Sequence, residues 1–164
     1  MPSVKIRIRD ARKEDLKAVV GLWEKLAEQH ARLSSELRLA PDGKRKWARY
    51  LAKKFSEKST KLIVAEEDGD IVGFMLCLLT PNTPIYKDKT IGVISDVYVN
   101  EKRRKKGVAG MMLKLALRWF AKNRASSVQL GTAYANLEAR AIWNQLGFRP
   151  FYMYKRLRLD KPSP

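Results

Sequence analysis

Cysteine and histidine are almost absent from this sequence: Cys77 and His30 are the only residues of their kinds among 164. A single cysteine excludes an internal disulfide and any zinc site built on a pair of cysteines. Cys77 lies in the apolar segment 74–79, where we expect a buried small side chain, because a reactive thiolate needs a polar, partly exposed setting. His30 lies near the apolar stripe of the first predicted helix and is interpreted as a packed or solvent-facing residue. No metal site is expected.

Long apolar runs are also missing. No stretch approaches the roughly twenty apolar residues that a membrane span needs. Lys5, Arg7 and Arg9 interrupt what would have to be the apolar part of a signal peptide. We therefore expect a cytoplasmic protein with no membrane partner. Repeats, low-complexity blocks and linkers are absent as well, which predicts one domain over residues 1–164, with a core at 4–159 and a frayed tail at 160–164.

Acidic residues are scarce, since 17 Asp and Glu face 34 Lys and Arg and leave a net charge of +17. A field of that sign raises encounter rates with anions. The cations concentrate at residues 102–106 and 44–61. The second cluster carries Trp47, Tyr50 and Phe55 at helical spacing, which indicates the buried face of an amphipathic helix and not stacking partners for bases. Since no recognised nucleic-acid-reading module accompanies the charge, nucleic acid is not expected as the main partner.

The apolar pattern predicts alternating strands and helices. The predicted strands are 4–9, 62–66, 71–79, 91–99, 127–132 and a Pro150-interrupted region through residue 159, and the predicted helices are 16–33, 44–56, 108–122 and 136–146. The Asp68-Gly69 pair is a strong hairpin signal between the second and third strands. The order β-α-α-β-β-β-α-β-α-β is α/β, with a mixed sheet flanked by helices.

A basic glycine turn, residues 104–109, separates the fourth predicted strand from the third predicted helix. Such a turn points several backbone N–H groups and the positive end of a helix dipole at one spot, and Gly107 lets the backbone come close to a guest. A phosphate or pyrophosphate is the expected guest, and a solvated basic loop is the alternative. The two familiar nucleotide loops, G-x-G-x-x-G and G-x-x-x-x-G-K-[ST], are both absent.

Residues 136–148 have the form N-x-x-A-x-x-hydrophobic-aromatic-x-x-x-G-F. With this segment, the chain resembles the GNAT superfamily of N-acetyltransferases over residues 4–154. Arg104, Gly107 and Ala109 fit that family's R/Q-x-x-G-x-G/A signature for acetyl-CoA, and residues 8–15 are similar to its usual opening. Both motifs lie in the expected order on the expected elements, about thirty residues apart.

The resemblance implies transfer of acetyl from acetyl-CoA to a primary amine of a small molecule, a protein lysine or an N-terminus. In the family, the fourth and fifth strands splay apart and the fourth-strand backbone pairs with the pantetheine arm, which falls here on Val97, Tyr98 and Val99. The N–H near Val97 would also stabilise the oxyanion. The residues implied for the pyrophosphate are Arg104, Lys105, Lys106, Gly107, Val108, Ala109 and Gly110. The side chains of Arg103, Lys105 and Lys106 would add charge toward the 3′-phosphate.

Two residues of the downstream motif are also implied in the cofactor site. Asn136 would contact the pantetheine arm, and it is also a natural helix N-cap. Trp143 stands where many family members carry the tyrosine that protonates the departing thiolate, a task that an indole cannot perform. A substitute tyrosine (Tyr134, Tyr152 or Tyr154), water, or no acid at all would then serve, because a thiolate with a pKa of about 8.5 is a tolerable leaving group.

Asp96 is the leading candidate for the base that deprotonates the amine, with a structural acceptor as the alternative reading and with Glu66 and Glu67 behind it. An acetyl-CoA-binding regulator without turnover and a basic nucleic-acid-associated protein remain as alternative functions. The positive field favours neutral or acidic acceptors over polycations unless acidic residues cluster at the acceptor cleft. A homodimer is left open.

Overall fold

A computed structural model describes residues 5–159 of the chain. The strands are β1 Arg7–Asp10, β2 Thr60–Glu67, β3 Asp70–Pro81, β4 Thr90–Val99 and β5 Val128–Leu130, and the helices are α1 Leu16–Leu33, α2 Gly43–Phe55, α3 Val108–Lys122 and α4 Leu137–Gln145. The start of the first predicted strand at Val4 and the predicted tail 160–164 lie outside the described residues. Within them, α3 coincides with its predicted bounds.

The strands form one mixed sheet in the order β1-β2-β3-β4-β5. Neighbours pair antiparallel from β1 to β4, and β5 joins β4 in parallel. Asp68 and Gly69 both have positive φ, 51° and 88°, as a two-residue hairpin turn requires. The predicted α/β class and the Asp68-Gly69 hairpin are thus confirmed.

Helices cover both faces of the sheet. On one face, α1 and α2 bury a cluster that includes Val19, Leu51 and Phe74, and on the other α3 buries a cluster that includes Met112 and Phe120. The helices can do this because each carries its apolar residues along one stripe. No helix within residues 5–159 is long and apolar enough to cross a membrane.

The helix α3 packs closely on β4 because Gly92 of the strand has no side chain. A Cβ atom added to Gly92 would lie 2.6 Å from Cδ1 of Phe120, which is nearer than real side chains come. The missing side chain therefore makes room for the Phe120 ring. Cys77, on the same face, is fully buried, and burial raises the pKa of its thiol to about 12. It behaves as the small buried side chain that its setting predicts.

The last predicted strand does not form. Residues 148–159, the final described segment, have no regular secondary structure, and the large apolar side chains of residues 151–159 are exposed. Pro150 lacks a backbone N–H, and β5, at three residues, offers little edge to pair with. Arg156 instead reaches Glu36 at 2.6 Å and Arg158 approaches the same carboxylate at 3.5 Å.

Candidate active site

β4 and β5 separate after three residue pairs. Their pairing runs from Gly92 opposite Val128 to Ile94 opposite Leu130. β4 then continues to Val99 while β5 has ended. A bulge falls at the same place, because Cys77 pairs with Ile94 but the preceding Leu76 pairs with Asp96, which leaves one extra residue on β4. The splay that the family resemblance implies is therefore present as an open edge of β4.

Along the open edge of β4, successive backbone N–H groups point alternately toward β3 and toward the open side. Asn100 donates its N–H to the Val72 carbonyl at 2.8 Å, so the backbone at position 100 faces β3. Tyr98 faces the same way, and a Cβ at Gly73 would lie only 3.0 Å from its carbonyl oxygen. Val97 and Val99 consequently direct their N–H groups toward the open side. Backbone direction supports the predictions for Val97 and Val99 but gives no support to a backbone contact from Tyr98.

The bulge also decides where Asp96 lies. Ile94 packs on the α3 side of the sheet, whereas Asp96, two residues later, is on the α1 side, because the extra residue reverses the alternation. Its Oδ1 accepts a hydrogen bond from Trp23 Nε1 at 3.0 Å, and its Oδ2 accepts one from Ser95 Oγ at 2.6 Å. The carboxylate is thereby fixed beside the open edge of β4.

The turn before α3 combines two left-handed residues with a free helix end. Lys105 has φ 59° and Gly107, the N-cap of α3, has φ 73°. The first helical hydrogen bond runs from Met111 N–H to the Gly107 carbonyl, and no side chain of the described residues caps the helix. The three preceding N–H groups, of residues 108–110, therefore point out of the helix end. Such an arrangement is an anion-binding nest.

Side chains tie this turn to β4. Arg104 donates from Nε to the Val99 carbonyl at 3.0 Å and lies 5.5 Å from the centre of the Tyr98 ring. Burial raises the pKa of the Tyr98 hydroxyl, and the nearby Arg104 cation opposes that rise. Arg103 forms an ion pair with the buried Glu67, which already neutralises its charge. Lys105 and Lys106 are exposed. Of the three predicted phosphate cations, the two lysines remain available.

Asn136 and Trp143, the motif residues of α4, cap the helix and pack against its neighbours. Asn136 is the N-cap, and its Oδ1 accepts from the Ala139 N–H at 3.0 Å, which leaves the amide NH₂ for another partner. Trp143 packs edge-on against Phe148 with ring centres 5.3 Å apart, on the α3 side of the sheet. A Cβ at Gly110 would lie 3.3 Å from Leu146, so this glycine also helps α3 approach α4.

His30 lies near the apolar stripe of α1, as its place in the sequence predicts, and the imidazole is half-buried there. Burial lowers the pKa of His30 below its ordinary 6.5, and the negative charge of Asp96 opposes that fall. The seven-residue spacing from Trp23 places the two side chains on one helix face.

The other candidates for proton transfer lie in different surroundings. Arg9 holds Glu66 through a hydrogen bond of 2.6 Å, and Arg103 holds Glu67. The substitute tyrosines, Tyr134, Tyr152 and Tyr154, are all largely exposed. Residues 5–159 contain no group of three or more His, Cys, Asp or Glu side chains placed to share a metal ion.

The sequence matches one family model and one curated relative. The model for the acetyltransferase (GNAT) family matches residues 21–148. An uncharacterized N-acetyltransferase, YhfO of Bacillus subtilis (strain 168), is 27% identical over 158 residues, which cover 96% of this chain and 99% of the relative.

Solved structures with the same fold include two acetyltransferases. One, a predicted acetyltransferase from Clostridium acetobutylicum with acetyl-CoA, has a TM-score of 0.78 at 18% identity and covers 94% of this chain and 96% of its own. The other, the aminoglycoside N-acetyltransferase AAC(6′)-Iy in complex with CoA, has a TM-score of 0.77 at 17% identity and covers 98% and 99%. Since the family model spans most of the chain, the protein belongs to the GNAT family of acetyltransferases.

Proposed function

We propose that the protein transfers the acetyl group of acetyl-CoA to a primary amine, by direct attack while both substrates are bound. The observation that carries the proposal is a continuous surface of outward-facing backbone N–H groups. It starts at Val97 and Val99 on β4 and continues at residues 108–110, and the Arg104 to Val99 hydrogen bond joins the two parts. An extended thioester ending in a pyrophosphate matches that order of donors.

The turn fits a pyrophosphate on its own geometry. Its two left-handed residues and the helix end provide N–H groups and a positive dipole at one place. Within residues 5–159, no atom beyond Gly107 and its two chain neighbours lies within 4 Å of a Cβ built on Gly107, so the backbone there is approachable. Lys105 and Lys106 add exposed positive charge. We assign residues 104–110 to the pyrophosphate, and Asn136 and Trp143 to the flank of the pantetheine arm.

The proposed roles of the residues follow from where charge develops during acetyl transfer. When an amine attacks the thioester carbonyl, negative charge develops on the carbonyl oxygen, and the Val97 N–H is placed to donate to it. Asp96, fixed by Trp23 and Ser95, lies on the acceptor side of β4 and assists removal of the amine proton. With Trp143 in place of an acidic tyrosine, the departing sulfur takes its proton from water or from the amine.

The net charge of +17 guides the choice of acceptor. Long-range repulsion disfavours polycationic amines, so we propose a neutral or acidic acceptor, such as a small amino compound or the N-terminus of an acidic peptide. An aminoglycoside, as in the name of one structural relative, is the second candidate acceptor, and its polycationic character makes it the sharpest contrast.

A thiol-release assay with matched amines tests this function. Neutral and acidic amines, a lysine peptide and an aminoglycoside would be compared at equal concentrations, and the acetylated product would be confirmed by mass. We expect turnover with a neutral or acidic amine and a kcat/KM at least tenfold lower for the aminoglycoside. The acceptor proposal is wrong if the aminoglycoside is the best substrate, and the transfer itself is wrong if acetyl-CoA binds but no amine releases thiol.

A further inference from the structure

Ser95 is the residue at which the open edge of β4 begins. β5 pairs with β4 only as far as Ile94, and the bulge leaves Ser95 without a register partner on β3 as well. Its side chain is exposed. The serine therefore stands beside the gap between β4 and β5, two residues before Val97, whose N–H is the proposed oxyanion donor.

The two oxygens of the Asp96 carboxylate have different surroundings. Oδ1 accepts a hydrogen bond from Trp23 Nε1 at 3.0 Å. The indole of Trp23 is buried and stacks on Trp47, with ring centres 4.5 Å apart and planes 10° apart. Oδ2 accepts from the exposed hydroxyl of Ser95 at 2.6 Å, a usual length for a hydroxyl bound to a carboxylate. The route from the open side to the carboxylate therefore leads over the serine oxygen.

The bonding of the serine hydroxyl suits a protonated amine. A hydroxyl has one donor hydrogen and two acceptor lone pairs. In Ser95 the hydrogen is directed at Asp96, and no donor from residues 5–159 occupies the oxygen. The oxygen therefore offers its lone pairs next to a carboxylate, and N–H groups of an ammonium ion are the donors that such a site attracts.

The spacing along β4 fits the geometry of the reaction. Ser95 and Val97 are two residues apart, or about 7 Å along an extended strand. In the tetrahedral intermediate, the oxyanion and the attacking nitrogen are bonded to the same carbon. A hydrogen bond from Val97 to the oxyanion and another from the nitrogen to Ser95 Oγ span a distance of this order.

We propose that Ser95 is a further catalytic residue, which contacts the acceptor amine and relays its proton to Asp96, and that Trp23 is the positioning residue for that carboxylate. The inference rests on the proposed acetyl transfer and names the group that touches the amine. Trp23 holds one carboxylate oxygen from the buried side, so that the other stays aligned with the serine hydroxyl.

The step balances in protons and electrons. The acceptor R–NH₃⁺ gives one proton to Ser95 Oγ while the serine's own proton moves to Oδ2 of Asp96, which releases it to water. The neutral nitrogen then forms a bond to the thioester carbonyl carbon, and the carbon–sulfur bond breaks with its electron pair on sulfur. A second amine proton goes to that sulfur, which yields the amide and the thiol.

The first test is kinetic and uses the amine that releases thiol fastest. Ser95→Ala should lower kcat about 30-fold at neutral pH with unchanged acetyl-CoA affinity, and Ser95→Thr, which keeps a hydroxyl, should stay within about threefold of wild type. The loss in Ser95→Ala should shrink at high pH, where more of the amine is already neutral. Ser126→Ala is the matched control, because that hydroxyl binds the Thr90 carbonyl at the other end of β4. Wild-type rates in Ser95→Ala would overturn the relay.

The second test separates relay from positioning and needs no substrate. The chain has four tryptophans, so the indole N–H signal of Trp23 can be assigned as the one lost in Trp23→Phe. Asp96→Ala removes its acceptor and should move that signal, whereas Ser95→Ala should leave it in place because Oδ1 keeps its bond. A signal displaced as far in Ser95→Ala as in Asp96→Ala would mean that the serine only positions the carboxylate, which contradicts the relay.

A binding measurement distinguishes failure of this inference from failure of the proposed function. If the wild type releases no thiol with any amine, the proposed function fails, and the serine contact is tested by titrating a lysine peptide into the CoA-bound protein, followed through the amide signals. We expect binding about threefold weaker in Ser95→Ala and restored in Ser95→Thr, because the hydroxyl oxygen accepts from the ammonium group. Equal responses of the wild type and Ser95→Ala would overturn the contact and the relay with it.

Discussion

The two halves of the proposed site are built from different parts of the chain. The donor half is backbone: N–H groups of β4 and of the turn before α3, oriented by a bulge and by two left-handed residues. The acceptor half is side chains: Asp96 is held by Trp23 and Ser95. In the proposed function, backbone N–H groups bind acetyl-CoA, and side chains from separate elements act on the amine.

This difference predicts which substitutions should damage each half of the site. A backbone site tolerates most side-chain changes and is damaged by a change of local conformation. A side-chain site is damaged when one functional group is removed without any change of shape. Substitutions can therefore separate affinity for acetyl-CoA from turnover.

Asp96→Asn should have the largest effect on turnover. The amide keeps the size of the side chain but loses the negative charge, so kcat should fall about 100-fold while acetyl-CoA affinity stays the same. The loss should shrink at high pH, where more of the amine is already neutral. A pH–rate profile with calorimetry checks both, and Asp88→Asn is the control. Wild-type rates across neutral pH would make Asp96 a structural residue only.

Gly107→Val should have the largest effect on affinity. Valine is strained at φ 73°, so the turn relaxes and its N–H groups lose their common direction, which should weaken acetyl-CoA binding at least tenfold, or about 1.4 kcal/mol. Gly69→Val, at φ 88° in the β2–β3 hairpin, imposes comparable strain away from the site and should leave affinity unchanged. Equal affinities for the wild type and a folded Gly107→Val, measured by calorimetry, would remove this turn from the site.

Asn136 allows the cap and the ligand contact to be separated. Asn136→Ala removes the acceptor for the Ala139 N–H and should lower the free energy of unfolding by about 1 kcal/mol, whereas Asn136→Ser keeps an N-cap oxygen and should be near neutral. Both variants lack the NH₂ donor, so both should bind acetyl-CoA about threefold more weakly. Urea unfolding and calorimetry are the measurements. Full affinity in both variants would reduce Asn136 to a cap.

Trp143→Phe should have the smallest effect. The ring packs against Phe148, and phenylalanine retains most of that contact, so turnover should stay within about threefold of wild type. Steady-state kinetics at saturating acetyl-CoA checks this. A loss of about 100-fold with intact affinity would mean that the indole N–H takes part in the chemistry.

The local geometry of the proposed donor half could be predicted because its signals are local. Gly107 and its basic neighbours lie in one short segment, and a strand-turn-helix pattern is enough to orient their backbone. The bulge at Ser95 was not predicted, although it decides which face Asp96 occupies, because nothing in the apolar pattern of β4 marks an extra residue.

The acceptor half could be predicted only in part. Asp96 was proposed as the base from its place beside Val97, but its hydrogen-bond partner Trp23 lies 73 residues earlier, and only helix-on-sheet packing brings the two together. The predicted last strand failed for a similar reason. Its alternating pattern around residues 151–159 is strand-like, yet a strand also needs an edge to pair with, and β5 is short.

The most direct test of the account is a titration of ¹⁵N-labelled protein with acetyl-CoA, followed through the backbone amide signals. The account predicts the largest changes at the amides of residues 107–110, together with Val97 and Val99, and a much smaller change at Tyr98, whose backbone faces β3. Changes confined to the basic surface of α2, with residues 107–110 and the β4 edge unaffected, would contradict it.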